Sequence, residues 1–479
     1  MADNYTLLGS HIPRPANLSP VLILVAPIVV LIGLRWPLVL AGLAAIGAVA
    51  GLLWAVKFTR LHPKWLILAL LLNEAMSSVA LIDDSIRPVL RYVVLALFCF
   101  PFLPAVLKTD SLRRGGFKLY LVYFLWGTIT VTFSLYPVYS LGRVASAALV
   151  FVTVMTVLSN IRDEGEIYEI FGIFWIGSAL IMLALLLSLA LPSDLTWAAD
   201  DGGIRRFSGL FNNPNQVGEL VLTTIASAVI YWPAASRRTR WVIATSIALA
   251  VVFDALADSR SPFVAISIGL TLYAISKYRL RAVAVVATIF LGALIIYAGA
   301  GSGREYVTRG EVTSFTGRTD IWKYTVHAIK ERPLTGWGYE VEGQIFQNRD
   351  FPFWEEVWDE GPRSSVHDGY LSRASGVGIP ATLLWLFLIL RPLKFGLFDG
   401  KVPRVLRDAV LVGAVPVLIM NLVESTAGDC RYSVGLLLAI IWALNEQYRL
   451  LSARSPRRSS ARIQPLIHGP ELRHAPLSL

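Results

Sequence analysis

Two cysteines in 479 residues, Cys99 and Cys430, are all that this chain has, and neither has a cysteine close to it. A disulfide framework and a zinc site built on paired thiolates are therefore excluded. Charge is scarce as well. Charged residues make up 16% of the chain against 55% hydrophobic ones, and the mean hydropathy is +0.60. So little charge cannot clothe a large water-soluble domain. No segment repeats at a fixed period, which excludes solenoids and propellers. There is no D-x-D arrangement, and the adjacent pairs Asp83-Asp84 and Asp200-Asp201 are weak metal signals, so neither a metal nor a cofactor is expected.

What the chain has in abundance is apolar runs of the length that crosses a bilayer core. Fourteen occur: 19–34, 37–56, 65–82, 88–107, 117–135, 138–158, 168–191, 215–233, 241–257, 261–276, 281–299, 366–390, 405–424 and 431–450. Three of them (19–34, 241–257 and 261–276) are short, so the expected fold is an all-α polytopic membrane protein with twelve to fourteen transmembrane helices. Lys and Arg collect in the short loops 57–64, 108–118, 237–240, 277–281 and 391–407 and in the tail after 448. All of these fall on one side, which the positive-inside rule makes cytoplasmic, together with both termini. The N-terminus lacks a small-residue cleavage site, so the first helix is expected to remain as an anchor. The net charge of +10 reports this topology and an attraction to anionic membrane lipids, not nucleic acid. By contrast, the loop 301–365 on the other face holds eleven acids and eight bases. The expected organisation is 1–200 as N-terminal transmembrane helices, 201–300 as helices carrying an external segment, 301–365 as one large periplasmic loop, 366–450 as C-terminal helices and 451–479 as a basic cytoplasmic tail.

Two external segments are long enough to build a site, 192–214 and 301–365. The first ends in "RRFSGLFNNPNQVGEL" (205–220), where Asn213-Pro214 reads as a helix start with Asn213 as the cap. Capping leaves Arg205 and Arg206 unexplained. Two arginines at a helix mouth suit a phosphate, and the positive-inside rule makes them unusual on this face. In the second segment, a helix is expected after Arg318 with Ile321, Trp322, Thr325, Ala328 and Ile329 on one apolar face and Pro333 as its terminator. Arg318 lies on that buried side and needs a partner, either a structural acid or a ligand's phosphate. His327 projects from the polar face as a solvated residue. Trp337, between Gly336 and Gly338, can stack on a sugar or sit in the membrane interface. His367 stands at the mouth of the helix that follows, either as an ordinary interfacial histidine or as a general base. Arg373 and Gly376-x-Gly378 continue that helix with small residues suited to close helix packing. Arg143, Glu219, Asp254 and Glu424 are ionisable groups within apolar runs, and Arg260 lies on the turn 258–260. Each faces either a polar cavity or an ion-pair partner.

In order along the chain, "RFSGLFNNPNQVGEL", "SRSPFVAISIGL", "GRTDIWKYTVHAIKERPLTGWGYE" and "HDGYLSRASGVGIP" resemble the signature of the O-antigen ligase and polysaccharide polymerase superfamily. The resemblance covers roughly 205–390. It implies a GT-C-like membrane glycosyltransferase of the bacterial inner membrane with its active site facing the periplasm. Such an enzyme takes a glycan from undecaprenyl diphosphate and passes it to a sugar hydroxyl on the lipid A core or on a growing polysaccharide. Arginines can neutralise a diphosphate leaving group without a metal. The resemblance makes His367 the base, with Asp368 as its electrostatic helper, and offers Arg205, Arg206, Arg260, Arg318, Asn213, Asn215 and Trp337 as binding residues. Many members have Asn after the histidine where this chain has Asp368, and a carboxylate there would strengthen the base. The rival reading is a polysaccharide transporter or flippase. The polar clusters at external helix ends speak against it, because transporters gather charge at mid-membrane.

Overall fold

The structure, a computed structural model, describes residues 50–79, 86–108, 115–161, 163–199, 205–278, 318–345, 366–399, 402–425 and 433–454. The chain divides into two units, Met1–His62 and Pro63–Leu479. Of the first, residues 50–62 are described, with helix over 50–61. All that follows concerns the second unit.

This unit is helical because its apolar runs leave the backbone only itself to bond with. Its main helices are α1 (Leu66–Ser77), α2 (Ile86–Cys99), α3 (Gly115–Thr130), α4 (Pro137–Leu158), α5 (Glu164–Ser188), α6 (Pro214–Tyr231), α7 (Arg237–Ala257), α8 (Arg260–Tyr278), α9 (Arg318–Glu331), α10 (Gly369–Phe398), α11 (Arg404–Ala409), α12 (Val415–Met420) and α13 (Ser433–Arg454). Four of their starts are fixed by polar side chains that accept a first-turn amide. Asp163 accepts from Glu166 N, Asn213 from Asn215 N, Ser236 from Thr239 N, and Asp368 from both Tyr370 N and Leu371 N. Hydroxyls inside the helices bond back to their own backbone, as Thr153 does to Leu149 O at 2.6 Å.

Seven helical stretches among the described residues are long and apolar enough to cross a membrane: Val89–Val106, Gly115–Phe133, Pro137–Leu158, Glu164–Ser188, Pro214–Ala234, Arg237–Ala257 and Gly369–Phe398. Each coincides with one of the fourteen runs read from the sequence. The run 65–82 gives only α1, whose 12 residues reach roughly 18 Å at 1.5 Å per residue. The run 405–424 becomes α11 and α12 joined by a π-helical turn, Val410–Ala414. The runs 19–34 and 281–299, and most of 37–56, lie outside the described residues, as do 301–317 and 346–365 of the expected loop.

α6 is the central post. It packs on α5, α7, α8 and α13, and 72% of its span is buried, the largest share of the seven. Between α5 and α6 the chain makes a short antiparallel hairpin, β1 (Trp197–Ala199) with β2 (Arg205–Phe207), pairing Trp197 with Phe207. Phe207 is fully buried and stacks on Phe253 of α7 at 5.4 Å, which fixes Arg206 beside the end of that helix. At the far end of α10, Glu446 of α13 gathers three partners. It takes the Gly116 amide (2.8 Å), Arg391 (3.0 Å) and Arg449 (2.5 Å), which ties α3, α10 and α13 together.

Candidate active site

The site forms where α6, α9 and α10 begin and where the chain turns after α12. Its hub is the Glu424 carboxylate, with 7% of the side chain exposed. Arg318 Nη2 donates to Glu424 Oε1 at 3.0 Å, and Arg318 Nη1 donates to Val423 O at 2.9 Å. Asn215 Nδ2 reaches the same Oε1 at 2.9 Å. Nδ1 of His367 lies 3.3 Å from Oε2. Arg206 joins through Asn215, donating to its Oδ1 at 3.0 Å, and also donates to Ala257 O (2.9 Å) and Asp258 O (3.2 Å). A buried carboxylate is thus enclosed by a guanidinium, an amide and an imidazole, and this answers its cost of burial. Arg318 and His367 remain partly open, at 20% and 25% side-chain exposure, so their outer sides face accessible space.

The backbone is bent to make this meeting possible. His367 has φ of 53°, in the left-handed region that few residues with a side chain adopt. Next to it, the Gly369 amide donates to Asn421 O at 2.9 Å. A Cβ on Gly369 would fall 2.0 Å from Asn421 Oδ1, so only glycine lets α10 start against the turn that carries Glu424. Helix α9 is held to the same place by Trp322 Nε1, which donates to Val366 O at 3.1 Å. Its apolar face is as read from the sequence, with Ile321, Thr325, Ala328 and Ile329 buried, while His327 is exposed.

Not every residue singled out by sequence arrives here. Asp368 does not lean on the histidine: its Oδ1 takes the Tyr370 and Leu371 amides at 2.8 and 2.9 Å, and the carboxylate that meets the imidazole is that of Glu424. Burial pushes the Asp368 carboxyl above its ordinary range, and the two amides pull it partly back. Trp337 is 5% exposed in a cluster with Ala328, Val341, Ile345 and Val366. Its Nε1 donates to Ala328 O, and the Arg332 guanidinium covers its ring at 3.8 Å. It is packing for the loop, not an open face for a sugar. Asn213 is the helix cap. Arg205 is exposed and bonds Ser193 Oγ at 3.4 Å, away from the hub. Arg260 pairs with the carboxylate of Asp258 at 3.2 Å, the same residue whose backbone carbonyl accepts from Arg206.

The residue that sequence reasoning left unassigned is Glu424 itself. Its signal was present, an acid inside an apolar run that must find a partner, but its partners stand 57, 106 and 209 positions away along the chain. Arg373, read only as part of a helix, forms an ion pair with Glu340 at 2.6 Å, both sides nearly closed to solvent. Among the described residues, no group of three or more His, Cys, Asp and Glu is placed to hold a metal ion.

Compared with known families, residues 244–386 match the model of the O-antigen ligase family. This segment resembles an O-antigen ligase domain. It spans most of α7, all of α8 and α9 and the first half of α10, and so contains Arg260, Arg318 and His367. The match supports the O-antigen ligase/polymerase superfamily for this multi-pass membrane protein, and ligase- or polymerase-type activity in broad terms. Arg206, Asn215 and Glu424 lie outside the matched segment, yet their hydrogen bonds join them to its Arg318 and His367. No curated protein matches the chain significantly.

Proposed function

We propose that the protein is a glycosyltransferase of the bacterial inner membrane that moves a glycan from undecaprenyl diphosphate to a sugar hydroxyl on the periplasmic side. The observation that carries this reading is the convergence of Arg318 and His367 on one buried carboxylate, Glu424. With Nδ1 held against Glu424, Nε2 is the ring atom that takes the acceptor's proton. The acceptor oxygen forms its bond to the anomeric carbon as the bond from that carbon to the diphosphate oxygen breaks. The diphosphate leaves with the electron pair. Arg318, supported by Arg206, meets the charge that develops on it, a role for which a fixed guanidinium needs no metal. Glu424 acts through these two groups and is a positioning residue.

The test is transfer of a lipid-linked glycan by purified protein, with and without chelator. General-base help is typically worth about 10²- to 10⁴-fold, so His367→Ala should fall by that factor while His327→Ala changes little. Arg318→Lys keeps the charge but loses the planar fork, and should already lose activity. Glu424→Gln should lose much of the rate, and the double variant with His367→Ala should lose less than the product of the two single losses, since part of what Glu424 does passes through the histidine and the rest through Arg318. Full activity in His367→Ala, or sensitivity to the chelator, overturns the mechanism. The acceptor separates the two names. A strain lacking a ligase accumulates polymer that never reaches lipid A, whereas one lacking a polymerase shows single repeat units.

A further inference from the structure

A second polar group lies one helical turn along α6 from Asn215, beside the hub, and the transfer reading makes no use of it. The cleft between α1, α5, α6 and the start of α13 is lined by Glu74, Ser78, Gln216, Glu219 and Ser433 against apolar walls such as Leu71 and Ile181. Its cavity is about 30 Å³, room for an ion and one or two waters at roughly 10–15 Å³ each.

Three observations say what it lacks. Glu219 is 94% buried, since its relative exposure is 6%, and among the described residues its carboxylate has no hydrogen-bond or ion-pair partner. The Oε1 of Gln216, one turn earlier on α6, is also buried without a partner, while its Nε2 donates to Ser78 Oγ at 3.3 Å. Glu74, the other acid in the lining, is already matched, with Arg91 Nη2 at 3.0 and 3.1 Å from its two oxygens. Among the described residues, the unmet groups are therefore oxygen acceptors, one of them able to carry a single negative charge that no described cation answers. A carboxylate in that position calls for a cation. Oxygen ligands of this type select hard ions, and one net charge in a cavity this small is neutralised by a monovalent ion rather than a divalent one.

We propose that this cleft binds a sodium-sized monovalent cation, with Glu219 supplying the charge and Gln216 Oε1 and the Ser433 hydroxyl completing the protein ligands. The site would brace the first turns of α6, the same turns that present Asn215 to Glu424. It stands on its own observations, apart from any reading of the transfer reaction.

The experiment is thermal unfolding of the purified full-length protein in detergent, in sodium chloride against choline chloride at equal ionic strength. Sodium should raise the midpoint saturably in the wild type, by about 2 °C or more once the site is filled. Glu219→Gln should abolish the sodium-specific rise. Equilibrium dialysis of the wild type with radioactive sodium should show one ion per chain, and this decides the matter if the variant fails to fold. An equal response to sodium and choline with no bound sodium overturns the proposal, and so does an undiminished sodium response in Glu219→Gln. Because neither measurement needs glycan transfer, failure here leaves the transfer reading standing, and the converse holds too.

Discussion

At the scale of single residues, two neighbours at the mouth of α10 do different work. His367 faces Glu424, and Asp368 turns back to cap the helix. An asparagine oxygen accepts an amide as readily as a carboxylate does, so Asp368→Asn should keep the cap, the stability and most of the activity. Asp368→Ala loses the acceptor and should lower stability by about 1 kcal/mol, measured by thermal unfolding. A large fall in turnover for Asp368→Asn at unchanged stability would instead return the residue to the chemistry. The histidine and Arg318 were legible in the sequence because each sits inside a local motif and next to a helix start. Glu424 was not, since its role depends on side chains brought in from three other elements, and no spacing within one segment encodes that. Trp337 misled for a related reason. A tryptophan between two glycines looks open, yet what decides is the Arg332 guanidinium and the helix α9 that close over it.

At the scale of elements, the glycines of "SRASGVGIP" suited close helix packing, and the structure gives them a different neighbour. The chain from Pro333 to Gly338 docks into a break in α10 at Gly378, where φ is 81° and ψ is 166°. Trp337 N donates to Ser375 O at 2.8 Å, Gly338 N to Gly376 O at 2.9 Å, and Ile379 N to Pro333 O at 2.7 Å. These bonds satisfy backbone groups that the break takes out of the helical ladder. A Cβ at residue 378 would lie 2.2 Å from Leu334 O, and the positive φ resists any L side chain. Gly378→Ala should therefore destabilise by at least about 1–3 kcal/mol, seen as a lower unfolding midpoint. A midpoint within a degree of the wild type would mean that the docking is loose. The sequence supplied the helices themselves, through length and apolarity, but not this junction. Two glycine-containing motifs that lie far apart in the chain each look like ordinary helix or turn punctuation until they are seen together.

At the scale of the whole molecule, α10 links two charged centres, the Glu424 hub at its start and the Glu446 hub near its other end. Glu446 is 1% exposed and answers Arg391, Arg449 and the Gly116 amide together. Removing one partner from a buried ionic group typically costs about 3–5 kcal/mol. Glu446→Ala should lower the unfolding midpoint strongly with no direct contact to the site, and a variant as stable as the wild type would show that the three helices hold without it. The membrane class and seven of the spans were readable because hydrophobic length is a property of one stretch at a time. The short α1 and the π-turn between α11 and α12 were not, because tertiary contacts decide where an apolar run bends. The docked segment 333–338 also has a consequence in time. Amides in a surface loop normally exchange with solvent hydrogen at nearly the rate of an unfolded chain. Those of Trp337 and Gly338 are locked to carbonyls of α10, so they should exchange as slowly as the buried amides of α6, and Gly378→Ala should release them first. Deuterium uptake in this stretch would show whether the loop opens by itself or only when the membrane helix behind it comes apart.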